Sequence, residues 1–251
     1  AQALPEKGKP CAKPRPVVCN LMKKIAVYIM IFFSCTISKK LIGQQLEDDT
    51  LFLLKNGDHT IFVDNSIKSK FYNEISDFKF EKFEKNSYAY SLAYLKENNL
   101  KLTKKNISDL PKKWIILKYY KNNFYTYCPS DFYSHFKVSI SDTAFIDYGG
   151  EGPMANKILS YKKIDNKTFS FVLTGVERPK RNLTIHIIDN QKGIAIFEEI
   201  FDNKNKLYYL MIDATKIKQF PIIVNYCKNQ KQMEFDFDVP DYNKLLKSKY
   251  D

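Results

Sequence analysis

The sequence predicts a mainly β fold (α+β), an antiparallel up-and-down meander of about 8–10 strands closing into a barrel or half-barrel, preceded by a small mixed helical segment. Three observations lead there. From Trp114 onward apolar residues recur with period two, as in Phe169, Phe171 and Leu173 and again in Leu183, Ile185 and Ile187. Turn-forming clusters separate these runs at Lys121-Asn122-Asn123, Ser141-Asp142, Asp165-Asn166, Asp189–Gly193 and Asp202–Asn205. So many consecutive antiparallel strands curl or close, because closure removes exposed edges.

Taken in order, residues 1–21 hold four of the ten prolines and one of three arginines, whereas the chain after Met22 is rich in Lys, Asn, Ile, Phe and Tyr. Such a break marks 1–21 as an over-extended start or foreign appendage, with a disordered Pro/Lys-rich tail as the alternative. Residues 22–45 read as a signal peptide: Lys23-Lys24, the apolar run Ile25–Ile37, then a polar stretch with Gly43 near the junction. That run is shorter than the roughly 20 residues a spanning helix needs. Export, periplasmic or secreted, follows as the expectation. Cys35 is the candidate for lipidation, which would anchor the chain to the envelope instead, although Phe33 before Ser34-Cys35 makes a poor lipobox.

Residues 46–251 then form a single β-rich domain. In its mixed part, 46–110, Thr60–Val63 reads as a strand after the Gly57-Asp58 turn. Asn65-Ser66 is placed to cap a helix carrying Ile67, Phe71 and Ile75, and Asn86-Ser87 to cap another carrying Leu92, Ala93 and Leu95. The meander occupies 111–227, with strands expected at 114–120, 124–128, 136–140, 144–148, 157–163, 169–174, 183–189, 194–201, 207–213 and 222–226; 228–251 is a tail. Gly149-Gly150-Glu151-Gly152-Pro153 reads as a wide hairpin connection, since no GK[ST] follows to make a phosphate cradle.

The formal charge of +12 does not imply nucleic acid. Residues 1–44 carry eight of the 40 basic residues but one of the 28 acidic ones, so most of the excess leaves with the leader. Only Arg178 and Arg181 remain after it, and arginine makes the commonest specific base contact. Of the five cysteines, Cys128 and Cys227 lie in the mature part and are candidates for a disulfide, burial as separate thiols being the alternative. The histidines His59, His135 and His186 show no zinc spacing, and no cofactor or metal is expected.

Chemistry-bearing candidates are few. Pro129-Ser130-Asp131 with His135 resembles triad components but lacks a GxSxG elbow, and a turn explains it. Cys128 follows an aromatic at a strand end, a poor setting for a thiolate. Glu198 and Glu199 fall on opposite sheet faces. Asp236 and Asp238 lack the glycine and twelfth-position glutamate of a calcium loop and read as a solvated acidic strand or tail. The sequons at Asn106, Asn166 and Asn182 fit ordinary turns. No catalytic residue is assigned and no enzyme is expected. Weak ligand-binding candidates are His186, Glu198 and Tyr208, which would line a cavity if the barrel were hollow; otherwise His186 faces outward.

LPKKWIILKYYKNNFYTYCPSDF, ISDTAFIDYGGEGP, LTIHIIDNQKGIAIFE and FPIIVNYC together resemble a group of uncharacterised exported bacterial β-meander proteins. The layout is also loosely lipocalin-like, although Lys112 stands where the lipocalin Gly-x-Trp signature has glycine. The resemblance implies no assigned activity. The expected partners are a small apolar ligand or lipid held in the barrel, or alternatively an envelope protein bound by a structural interaction module. A hydrolase is the third reading, and membrane contact is expected only through the signal peptide or a lipid anchor.

Overall fold

A computed structural model describes residues 50–131, 135–201, 205–228 and 233–247. The signal-type leader and Cys35 lie outside the described residues. Thirteen strands among the described residues make two sheets. Eight of them form a closed antiparallel up-and-down barrel: β3 (Lys113–Ile116), β6 (Lys137–Ile140), β7 (Ala144–Gly149), β8 (Gly152–Lys163), β9 (Thr168–Thr174), β10 (Arg181–Asp189), β11 (Ile194–Phe201) and β12 (Asn205–Asp213). The ring closes where β12 pairs with β3, Asp213 opposite Trp114.

Every barrel strand sends alternate residues inward, and together they fill the interior. Trp114, Val138, Phe145, Phe169, Phe171, Leu173, Leu183, Ile185, Ala195, Phe197 and Met211 pack as one cluster, each at most 2% exposed. Closely packed side chains are one of the two ways a small barrel satisfies its interior. Ile107 and Leu110, from the segment before β3, close the end where β3 begins, and the Trp114 indole donates to Pro111 O at 2.8 Å.

The second sheet has the order β1–β2–β13–β5–β4, from β1 (Thr50–Asn56), β2 (His59–Asp64), β4 (Lys118–Tyr120), β5 (Asn123–Cys128) and β13 (Ile222–Cys227). The stretch 114–120, expected as one strand, is two: at Leu117 the chain leaves the barrel for this sheet. Leu117 explains the break, because its side chain joins Ile115, Ile196, Leu210, Ile222 and Val224 in the core between barrel and sheet. The β4–β5 turn has Lys121 and Asn122 at φ 47° and 64°, the left-handed pair of a type I′ hairpin, as its Asn-rich sequence suggested. β1 was not foreseen. Its TLFLLKN is apolar on consecutive positions, and a register shift between Phe52 and Leu54 hides the alternation.

Two helices differ from expectation. The first, α1 (Phe71–Ile75), is a short turn that buries Tyr72 and Ile75, and Ile67 lies outside it and exposed. Asp64 and Ser66 instead hold a run of turns, accepting from Ser66 N and Lys68 N. The second, α2 (Lys82–Glu97), starts four residues before Asn86-Ser87, with Glu84 accepting the Glu81 N–H at 2.8 Å. Ser87 and Ser91 face the barrel rather than capping the helix: the Ser91 hydroxyl accepts from Ala155 N, and Ser87 lies against Gly152. The glycine run is a correction too. Gly149 pairs with Gly152 across a two-residue turn, not a wide loop. Gly152 has φ +90°, and a Cβ there would meet Ser87 Oγ at 3.0 Å, so both backbone and helix demand glycine.

The segment read as a solvated tail is docked. Phe235 and Phe237 alternate inward and pack on Tyr120 and Tyr127 of the second sheet. Asp238 bridges Tyr119 and accepts the Lys121 N–H at 2.7 Å. The chain then reaches α3 (Tyr242–Lys247), whose Tyr242 stacks on Tyr208 of the barrel, ring centroids 5.0 Å apart.

Candidate functional site

His186, Glu198 and Tyr208 do come together, but on the outer wall of the barrel. His186 Nε2 lies 3.2 Å from Glu198 Oε2, Glu198 is the cross-strand partner of Tyr208, and Lys206 Nζ holds Glu198 Oε1 at 2.6 Å. Burial pushes the Glu198 carboxyl up, but the contacts from Lys206 and His186 outweigh it and hold the group below its ordinary range. Beside this ion-paired carboxylate Tyr208 carries the Tyr242 ring of α3, and the filled interior on the other side of the strand leaves no cavity for these three to line.

Cys128 and Cys227 do not pair. On the parallel β5–β13 ladder Val224 stands opposite Cys128, so Cys227 is three residues further along, roughly 10 Å at strand rise and beyond disulfide reach. Cys128 is buried 3.8 Å from Glu74 Oε2, and burial followed by that carboxylate pushes its thiol up to about 12. Its nearest titratable neighbour therefore disfavours the thiolate. In the native state, iodoacetamide is expected to alkylate half-exposed Cys227 while Cys128 stays protected until denaturant is added, read by peptide mass mapping. Equal labelling of the two without denaturant would show that β5 is not packed as described.

His135 is buried, and its ring is kept neutral by burial first and then by Lys137 and Lys118, its pKa falling to about 3. Asp131, two positions after Pro129, gives its backbone N–H to Glu234 Oε1 at 3.3 Å. Among the described residues no group of three or more His, Cys, Asp or Glu is arranged to hold a metal ion, and no helix is long and apolar enough to cross a membrane.

The sequence concealed the polar end of the barrel. Arg181, the first residue of β10, points inward and is 3% exposed; its guanidinium bonds both Asp147 of β7 and Glu199 of β11. Arg178, from the β9–β10 connection, also bonds Glu199, and Asn156 Nδ2 donates to Asp147 Oδ2 at 3.0 Å. Thus both arginines of the domain and the inward member of the Glu198-Glu199 pair seal the barrel opposite Leu110. The alternation of Glu199 was readable, but its partners were not, being 18 and 21 positions away in the chain.

Around this same end the surface opens. Phe83, near the start of α2, is 63% exposed and divides two clefts. One, about 650 Å³, is lined by Glu74, Asp77, Lys79, Phe80, Glu81, Glu84 and Lys137, with Asn73. The other, about 500 Å³, lies between Tyr90, Met154, Val176, Glu151 and Glu177, with Asn86 and Ser87. Lys137 is engaged: its ammonium bonds Asp77 O and lies over the rings of Phe78 and Tyr148. Elements distant in sequence (α1, α2, the β7–β8 turn and the β9–β10 connection) supply the walls, so no short motif announces them.

Comparison with protein-family models, curated proteins and solved structures finds no match to the chain.

Proposed function

We propose that this chain is an exported, non-enzymatic interaction module that presents the Phe83 rim of its barrel to a protein partner. The observation carrying the reading is the exposed Phe83, with Tyr90 at 59% exposure two turns along the same helical face, set between two clefts at one end of a solid barrel. Clustered exposed aromatics beside clefts are the usual anchor of a binding surface, where truncating one such ring costs 2 kcal/mol or more. A packed interior favours a scaffold over a container: a small apolar ligand or lipid inside the barrel would require displacing Phe145, Phe171 or Phe197.

A photo-reactive amino acid placed at Phe83 tests the reading in the producing cell, with exposed Leu207 at the start of β12, which lines neither cleft, as control. A discrete crosslinked protein at position 83 alone, whose purified form binds the chain and loses about tenfold or more in affinity with Phe83→Ala, is the expected result. Unchanged melting of Phe83→Ala separates lost contact from lost fold, since the ring is mostly solvent-exposed. Stoichiometric lipid in the purified chain, retained by Phe83→Ala, would instead establish the barrel-ligand reading and sink this one.

A further inference from the structure

We infer that the partner of the Phe83 rim presents a basic segment bearing an apolar side chain. The inference rests on the rim being a binding surface and adds the chemistry of what it takes. The two clefts together are lined by six carboxylates, Glu74, Asp77, Glu81, Glu84, Glu151 and Glu177, against the two lysines Lys79 and Lys137. Residues 45–251 carry 32 of the 40 basic and 27 of the 28 acidic residues, a small positive excess, so the acidic linings are a local inversion of sign. Lys137 is turned to Asp77 O and to the Phe78 and Tyr148 faces, so its charge is partly satisfied from within. Glu151 and Glu177 are exposed, on two different connections that meet beside Met154 and Val176.

The apolar and acidic parts divide the work. Phe80, Phe83, Tyr90, Met154 and Val176 offer contact area to an aliphatic or aromatic side chain, and the aromatic faces also accept a guanidinium or ammonium. Carboxylates around that centre steer cations in and repel acidic segments, which sets selectivity and association rate more than total affinity. An acidic or phosphorylated segment would bring like charges together at the same rim.

The probe is a fluorescein-labelled lysine-rich peptide with a central leucine and phenylalanine, titrated by anisotropy against the purified chain. Its counterpart carries glutamate in place of lysine. The lysine peptide is expected to bind, with affinity dropping about tenfold between 50 and 300 mM salt as charge is screened. Glu151→Gln with Glu177→Gln is expected to weaken it about fivefold, and Phe83→Ala about tenfold. Glu97→Gln, which removes an exposed carboxylate at the far end of α2, is the control and should change little. If Glu97→Gln weakens binding as much as the rim pair, the attraction is that of the whole molecule and the inference falls. Equal binding of both peptides, with Phe83→Ala weakening each, would overturn the basic partner while leaving the rim as a binding surface. Loss of all dependence on Phe83 would remove the rim reading itself.

Discussion

Glu199→Ala is expected to destabilise the domain by about 3–5 kcal/mol, among the largest single-residue effects in the molecule. Glu199 is the carboxylate shared by Arg181 and Arg178. Arg178 is 35% exposed and can turn its guanidinium to water, but Arg181, at 3%, cannot. Without Glu199, Arg181 keeps Asp147 as its remaining carboxylate and a positive charge stays in a low-dielectric setting over the Phe145 ring. Removing one carboxylate of the buried cluster strands the Arg181 N–H groups that faced it and empties the space it filled, which costs far more than the intact pair contributes. In a domain of this size the midpoint of thermal unfolding should drop by roughly 10 °C, with the denaturant m-value unchanged. The neighbouring residue supplies the contrast. Glu198 faces outward, and its Lys206 partner is 52% exposed, so Glu198→Ala should cost about 1 kcal/mol or less. Similar losses at both positions would mean that the barrel end is not sealed as described.

Stability is also expected to fall by about 2 kcal/mol between pH 7 and pH 5 because of His135. Its folded pKa is depressed, from 6.5 to about 3, by burial and then by Lys137 and Lys118. In that window the unfolded chain takes up a proton that the folded chain refuses, so acid favours unfolding. Stability contributed by the neutral ring is complete above the unfolded value and declines as pH falls towards the folded one. His135→Leu should flatten the slope between pH 7 and pH 5 in urea titrations. An unaltered slope would show that the ring is protonated in the native protein. Because Lys118 and Lys137 are themselves lowered mainly by burial, an extra proton on His135 would add a third cation to a region already short of water.

How much of this was readable from the chain follows from the range of each signal. The inward parity of Phe169, Phe171, Leu183, Ile185 and Phe197 is local, repeats every second residue, and sets the barrel strands one by one. The division into two sheets was not readable, because the period of two continues through Leu117 and only the three-dimensional packing of that side chain shows the change of sheet. In the first part, polar residues before apolar runs suggested caps at Asn86-Ser87, yet Ser87 and Ser91 serve the contact with β8, a use that sequence spacing alone does not distinguish from capping. At the candidate site the same limit applies. Exposed Phe83 looks in sequence like any amphipathic helix residue, and its clefts exist only because the β7–β8 and β9–β10 connections reach the helix from about 70 and 90 residues away. His186, Glu198 and Tyr208 were expected to line a cavity if the barrel were hollow; they meet instead on the outer wall, because the interior is filled, which strand alternation alone does not reveal.

The barrel seam has a kinetic meaning. Trp114 meets Asp213, and Thr126 meets Ile222 in the parallel ladder, so both sheets are joined across nearly a hundred residues of chain. Neither joint forms until β12 and β13 are present, and closing loops of that length is a slow entropic search. A chain emerging N-terminus first therefore carries β3 and β5 with open edges for most of its synthesis. It is then the arrival of β12 and β13, between Asn205 and Cys227, that locks the molecule shut.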